Sequence, residues 1–169
     1  KNKIKDIAND LINVAAKRAL DKGEVINLNS FEYEKFSSQF EFTETSDQIK
    51  TINQIMEDLY SGQPMDRLVC GDVGFGKTEV ALRATFSAVM NGNQVVLMVP
   101  TTLLAQQHYE TFQERFTEWP INIELLSRTQ SLKKRETIIN DLRLGQTDIV
   151  IGTHAVLSEK ISYPTLGLI

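Results

Sequence analysis

The chain has 169 residues, 41% of them hydrophobic and 24% charged, which suits one domain with a buried core. Its net charge of −4 excludes a protein that clamps nucleic acid by bulk charge, so any such contact needs a local face. No apolar run approaches a membrane span, the first residues do not read as a signal peptide, and the opening Lys1 reads as the start of an excised piece. The single cysteine, Cys70, sits in an apolar stretch and reads as a small buried hydrophobe, which points to a reducing cytosol.

Residues 3–20 read as an amphipathic helix with Ile4, Ile7, Leu11 and Val14 on one stripe, and Gly23 suits its C-terminal stop. Residues 24–44 carry Phe31, Tyr33, Phe36, Phe40 and Phe42 without a clean period and read as an irregular strap packed on the main domain. Thr45 followed by Gln48 is a capping-box signature for a helix over 47–60, with Ile52, Ile55, Met56 and Leu59 as its buried stripe. From there strands and helices alternate: a strand over 67–70, a helix over 77–90, a strand over 94–99, a helix over 103–116, a strand over 122–126, a helix over 132–144 and a strand over 148–152. Continuous apolar strands joined by helices predict an α/β domain whose parallel sheet has helices on both faces.

Gly71-Asp72-Val73-Gly74-Phe75-Gly76-Lys77-Thr78 fits the phosphate-loop pattern G-x-x-x-x-G-K-[ST] with nothing missing. An ordinary glycine turn is the bland alternative, and the completeness of the match together with its flanks argues against it. A glycine-rich turn at a helix N-terminus aims backbone N–H groups and the positive end of the helix dipole at one spot, which suits a nucleoside triphosphate. Gly71, Gly74 and Gly76 let the backbone approach phosphate oxygens, Lys77 reaches the β- and γ-phosphates, and the Thr78 hydroxyl ligates Mg²⁺. The expected cofactors are therefore ATP and Mg²⁺. Phe75 is the odd member: a large apolar side chain that either packs on a neighbour or stands exposed for another element.

In parallel sheets ligands bind at the carboxyl ends of the strands. That rule selects four stretches: the phosphate loop, Pro100-Thr101-Thr102, Ser127-Arg128 and Gly152-Thr153-His154. Thr101 and Thr102 suit a helix N-cap and a sequence-independent DNA-phosphate contact equally, and one threonine could do each. Arg128 reads first as a surface charge and His154 first as a structural histidine. Neither His154 nor His108 has partners at metal-ligand spacing. Lys133-Lys134-Arg135, the one short basic run, reads as a solvated helix face. Gln48 either closes its own helix or hydrogen-bonds an adenine edge, since an amide both donates and accepts.

The stretches Met65 to Ala81, Val99 to Tyr109 and Ile151 to His154 resemble the bacterial transcription-repair coupling factors, over roughly residues 3–169. Phe75 is typical of that family, whereas the related fork-reversing DNA helicases usually carry serine there. Thr45-Ser46-Asp47-Gln48 is similar to the family's Thr-Pro-Asp-Gln but lacks the proline. The resemblance implies a P-loop, RecA-like fold and an ATP-driven double-stranded-DNA translocase that pushes on stalled RNA polymerase and hands damage to excision-repair proteins. It implies that Gln48 recognises adenine, that Lys77 and Thr78 serve catalysis, and that Thr101, Thr102, Gln106, Ser127, Arg128, Thr153 and His154 face DNA. It also divides the chain into a connector helix and aromatic strap over 1–44 and a first RecA-like lobe over 45–169. The family's Asp-Glu-Glu-His motif and its second RecA-like lobe, with an arginine finger, are expected beyond Ile169. The piece is therefore expected to bind nucleotide weakly and to hydrolyse none. A fork-reversing helicase lobe, or a non-catalytic interaction module docking through the strap and Phe75, are the alternatives.

Overall fold

The computed structural model describes residues 2–27 and 30–169. Its elements run α1 (Asn2–Leu20), α2 (Ser30–Ser38), α3 (Ser46–Tyr60), α4 (Lys77–Met90), β1 (Gln94–Met98), α5 (Thr102–Arg115), β2 (Ile123–Leu126), α6 (Leu132–Arg143), β3 (Ile149–Gly152) and β4 (Leu166–Leu168), with a short 3-10 turn over His154–Leu157. The four strands form one sheet in the order β2-β3-β1-β4, and every pairing is parallel. Among the described residues, no helix is long and apolar enough to cross a membrane.

Both faces of the sheet are covered, because successive strand residues point to opposite sides. Val95, Leu125, Ile149 and Ile151 join a core with α3, α4 and α5, while Val96, Leu126 and Val150 pack with Ile138 and Leu142 of α6 and with Val156. The strap is more ordered than its composition predicts. Phe36, fully buried, stacks on Phe86 of α4 at 4.2 Å between ring centroids and has Phe116 and Trp119 around it. Tertiary packing of this one ring supports a nine-residue helix, α2, whose aromatics are weak helix formers. The apolar stripe of α1 does form, but Ile4, Ile7, Leu11 and Val14 all face solvent.

Two expectations fail together. Residues 67–70 form no strand and belong to no ladder, and β4 holds the edge of β1 instead, through Gln94↔Leu166 and Val95↔Leu168. A gap of about 220 Å³, lined by Val69, Val80, Val95, Leu97 and Leu168 among others, lies where sheet pairing would otherwise close. With no neighbouring strand the segment stays open: Leu68 is 87% exposed, and Cys70 is an exposed free thiol rather than a buried hydrophobe. Cys70 in the native chain is accordingly expected to react with a disulfide reagent to one equivalent without denaturant. A thiol silent until unfolding would contradict this exposure.

Candidate functional site

The phosphate loop is a tight turn whose glycines are required by backbone conformation. Gly74 and Gly76 have φ of +86° and +68°, and Gly76 caps α4 in the left-handed region. The loop closes on itself. Phe75 N–H donates to Asp72 O at 3.3 Å, and Lys77 Nζ donates to the carbonyls of Gly71 and Asp72, each at 2.6 Å. The ammonium has three donors, and these two contacts hold it over the loop.

Gln48 meets the first expectation raised for it, closing its own helix. The capping box is complete: Thr45 Oγ1 accepts from Gln48 N–H, and Gln48 Oε1 accepts from Thr45 N–H at 2.7 Å. The other end of the amide, Nε2, donates to Phe75 O in the phosphate loop at 3.0 Å. A Cβ on Gly76 would lie 2.2 Å from that Nε2, so a larger residue there would push the amide off this contact. Phe75 does not enter the core. It is 64% exposed and lines a cleft of about 960 Å³ with Phe40, Phe42, Gln48, Thr78 and Arg115.

An ion network underlies the cleft. Glu79, one turn into α4, is buried, and its Oε1 accepts from Arg83 Nε at 2.7 Å and Arg115 Nη2 at 3.2 Å. Arg83 also pairs with Glu44, immediately before the capping threonine. Burial opposes the charge on Arg83, but hydrogen bonds to Glu79 and Glu44 outweigh it and raise its pKa. Hydrogen bonding to its own backbone, then to Arg83, holds the Glu44 carboxyl below the ordinary carboxylate value. Burial dominates at Tyr33, whose hydroxyl is raised although Arg83 opposes the shift.

Strand register sets the second part of the site. Met98↔Gly152 and Leu126↔Gly152 place the ends of β1, β3 and β2 level, so Thr101-Thr102, Thr153-His154 and Ser127-Arg128 follow adjacent strand ends. Gly152 is required here by close approach, since a Cβ would lie 2.5 Å from Leu126 O. Thr101 is the N-cap of α5, accepting from Leu104 N–H at 3.2 Å, which leaves Thr102 as the exposed hydroxyl of the first turn. Arg128 and His154 are exposed, whereas Ser127 and Thr153 are buried. The Ser127 hydroxyl is 2.9 Å from Thr129 Oγ1 and accepts from Thr129 N–H, organising the turn that presents Arg128. Gln106 is exposed and donates to Glu110. His108 is half-buried, and that burial lowers its pKa. Among the described residues, no group of three or more His, Cys, Asp or Glu could hold a metal ion.

The structure thus collects Gln48, Phe75, Gly76 and Thr78 in one cleft and sets the remaining candidates along the strand ends. Sequence reasoning missed the walls of the cleft. The i,i+4 spacing of Glu79 and Arg83 was a readable sign. Nothing local marked Arg115 or Glu44, which reach the network from other elements.

Residues 45–166 match the family model described as DEAD/DEAH box helicase. The chain is 51% identical over 166 residues to the transcription-repair-coupling factor of Bacillus subtilis and 46% identical over 167 residues to that of Escherichia coli. These alignments cover 98% and 99% of this chain but only 14% of either relative. The solved structure of RecG bound to a three-way DNA junction superposes with a TM-score of 0.86 at 36% identity, covering 92% of this chain and 22% of that one. A hypothetical ATP-dependent RNA helicase from Sulfolobus tokodaii, at 20% identity, a TM-score of 0.56 and coverage of 76% of this chain and 35% of its own, shares the fold alone. With its phosphate loop, its parallel sheet and a family match over most of its length, the chain belongs to the DEAD/DEAH box helicase family.

Proposed function

We propose that this chain is the nucleotide-binding, RecA-like lobe of a double-stranded-DNA translocase that couples transcription to repair. Residues 45–169 form the lobe and 1–44 the connector and strap. The observation that carries the reading is the joint closure of the phosphate loop by Lys77 and Gln48, the one through Gly71 and Asp72 carbonyls and the other through Phe75 O. Both side chains already stand where a triphosphate and a purine edge would compete for them. Gly71, Asp72, Val73, Gly74, Phe75 and Gly76 form the cradle, and Thr78 lines the same cleft. The Thr78 hydroxyl would hold Mg²⁺, and the ion would supply charge neutralisation at the phosphates.

Thr102, Arg128 and His154, exposed at level strand ends, suit a duplex backbone that is read without base identity. Thr101, Ser127 and Thr153 serve it by shaping their turns, Thr153 through its carbonyl, which accepts from Val156 N–H, while Gln106 completes the exposed set. The name of the coupling-factor relatives supports a role between transcription and repair; RNA polymerase and excision-repair proteins are the partners proposed for the parent, and the cytosol its compartment. A fork-reversing helicase lobe is the second reading, favoured by the likeness to RecG. It is weakened by Phe75 and by the higher identity to the coupling factors.

The Asp-Glu-Glu-His motif of the resembled family does not occur in these 169 residues. We therefore expect nucleotide binding with no measurable turnover. Lys77→Ala is expected to weaken binding of a fluorescent ATP analogue about 10–100-fold, the worth of one charge-assisted hydrogen bond of roughly 1.5–3 kcal/mol. Unchanged affinity in this variant would defeat the phosphate-loop reading, and DNA-stimulated turnover abolished by Lys77→Ala would defeat the expectation of inactivity.

A further inference from the structure

Arg115 lines the cleft and also occupies a buried junction beneath it. It is the last residue of α5, and its guanidinium donates to Glu79 Oε1 at 3.2 Å and to Gln39 Oε1 at 3.1 Å while lying 4.3 Å from the centroid of the Phe36 ring. Its side chain is 12% exposed and that of Glu79 is 5% exposed. Glu79 follows Lys77 and Thr78 in the first turn of α4. The opposite end of α5 begins at Thr101 and Thr102 on the strand-end rim. With 14 residues at 1.5 Å each, the helix spans about 21 Å between the two places.

Stability alone does not account for such a group. Buried ion pairs are often no better than apolar residues of the same volume, because desolvation offsets the attraction. Their geometry, however, is demanding. Glu79 Oε1 is shared between Arg115 and Arg83, and Arg83 is in turn paired with Glu44 beside the Thr45–Gln48 box. A shift of α5 along its axis therefore has to break a buried contact or drag the first turn of α4 with it.

We propose that Arg115 is a positioning residue that couples duplex engagement at the Thr101–Thr102 end of α5 to nucleotide affinity at Lys77 and Thr78, through Glu79. The proposal rests on the function given above. Linkage makes it measurable: if duplex changes nucleotide affinity by some factor, nucleotide changes duplex affinity by the same factor.

The test measures binding of a fluorescent ADP analogue to the 169-residue chain, with and without a short DNA duplex, in the native sequence and in Arg115→Met and Arg115→Lys. Methionine keeps apolar volume against Phe36 and removes the charge. The native chain is expected to show a coupling factor of at least about 5, at the low end of typical allosteric couplings. Arg115→Met is expected to bind both ligands with the factor collapsed to within about 2-fold, and Arg115→Lys, which keeps one pairing to Glu79, to fall between. A merely structural role would lower the melting temperature and leave the factor unchanged, and that result overturns the proposal. So does a native chain that binds both ligands independently. If Arg115→Met fails to fold, the lysine variant decides alone: a native factor in a folded Arg115→Lys chain also overturns it. A chain that binds no nucleotide, or nucleotide but no duplex, instead defeats the corresponding part of the proposed function and the coupling with it.

Discussion

Phe36→Ala is expected to lower the stability of the chain by about 3–5 kcal/mol, the range for truncating a fully buried aromatic. The ring is 0% exposed, stacks on Phe86 and is flanked by Phe116 and Trp119, so its removal leaves a cavity walled by three other rings. Aromatic pairing adds to the area term. Against a total stability of about 5–15 kcal/mol for a typical domain, this is a large fraction. The consequence reaches the proposed function, because α2 leads directly into Phe40, Phe42, Thr45 and Gln48, which wall the cleft beside the phosphate loop. Denaturant unfolding should show the loss as a lower midpoint, and nucleotide affinity should weaken with it. Phe31→Ala on the same helix is the control. That ring is 75% exposed, so its loss should stay within about 0.5 kcal/mol. Equal effects for the two variants would mean that α2 is not anchored by Phe36.

The contrast between those two phenylalanines shows where the sequence stops being legible. The residues from Lys77 to Gly152 were readable because each element carries its own signal, whereas β4 was not read from the sequence. Apolar runs mark β1, β2 and β3, an N-cap begins α5 and α6, and Gly145 follows α6. The phosphate loop and the Thr45–Gln48 box were readable for the same reason: their chemistry lies within a few residues of chain. Residues 67–70 misled because an apolar run states only that burial is possible, while a strand also needs a neighbour with free N–H and C=O groups. That neighbour is absent beside Val69, and Cys70 is exposed in consequence. The strap misled in the opposite direction. No period along residues 24–44 selects Phe36 over Phe31, Phe40 or Phe42, and Phe86, Phe116 and Trp119, all far along the chain, make the choice. The ion network is the extreme case, since Glu44, Glu79, Arg83 and Arg115 come from three separate parts of the chain.

That network carries the second large effect. Glu79→Ala is expected to destabilise the chain by about 3–5 kcal/mol, because it leaves buried guanidiniums without their shared carboxylate. Arg83 and Arg115 have side chains only 7% and 12% exposed, and Glu79 Oε1 is bonded to both. Arg83 retains Glu44, but Arg115 keeps only the neutral Gln39 oxygen and the Phe36 ring. Glu79→Gln preserves shape and an acceptor oxygen while removing the charge, so it should cost less, about 1–3 kcal/mol. The order Ala, then Gln, then native in thermal melts is the expected signature. Acid should widen the gap. The Glu44 carboxyl is depressed in the folded chain, so its contribution is fully present above its ordinary value of 4.5 and is lost as pH falls through the lower folded value. In Glu79→Ala that contribution is the last ionic partner of Arg83, and its melting temperature should fall more steeply below pH 4.5 than that of the native chain. Replacing the three most buried network members, as Glu79→Leu with Arg83→Met and Arg115→Met, removes the stranded charges along with the carboxylate. It should recover much of the loss from Glu79→Ala, because an apolar cluster of similar volume has no desolvation penalty to offset. Stability would then return while the link from α5 to the phosphate loop did not. A Glu79→Ala chain that melts with the native one would mean that both guanidiniums reach water when the carboxylate is gone, and that the weld beneath the nucleotide cleft is loose.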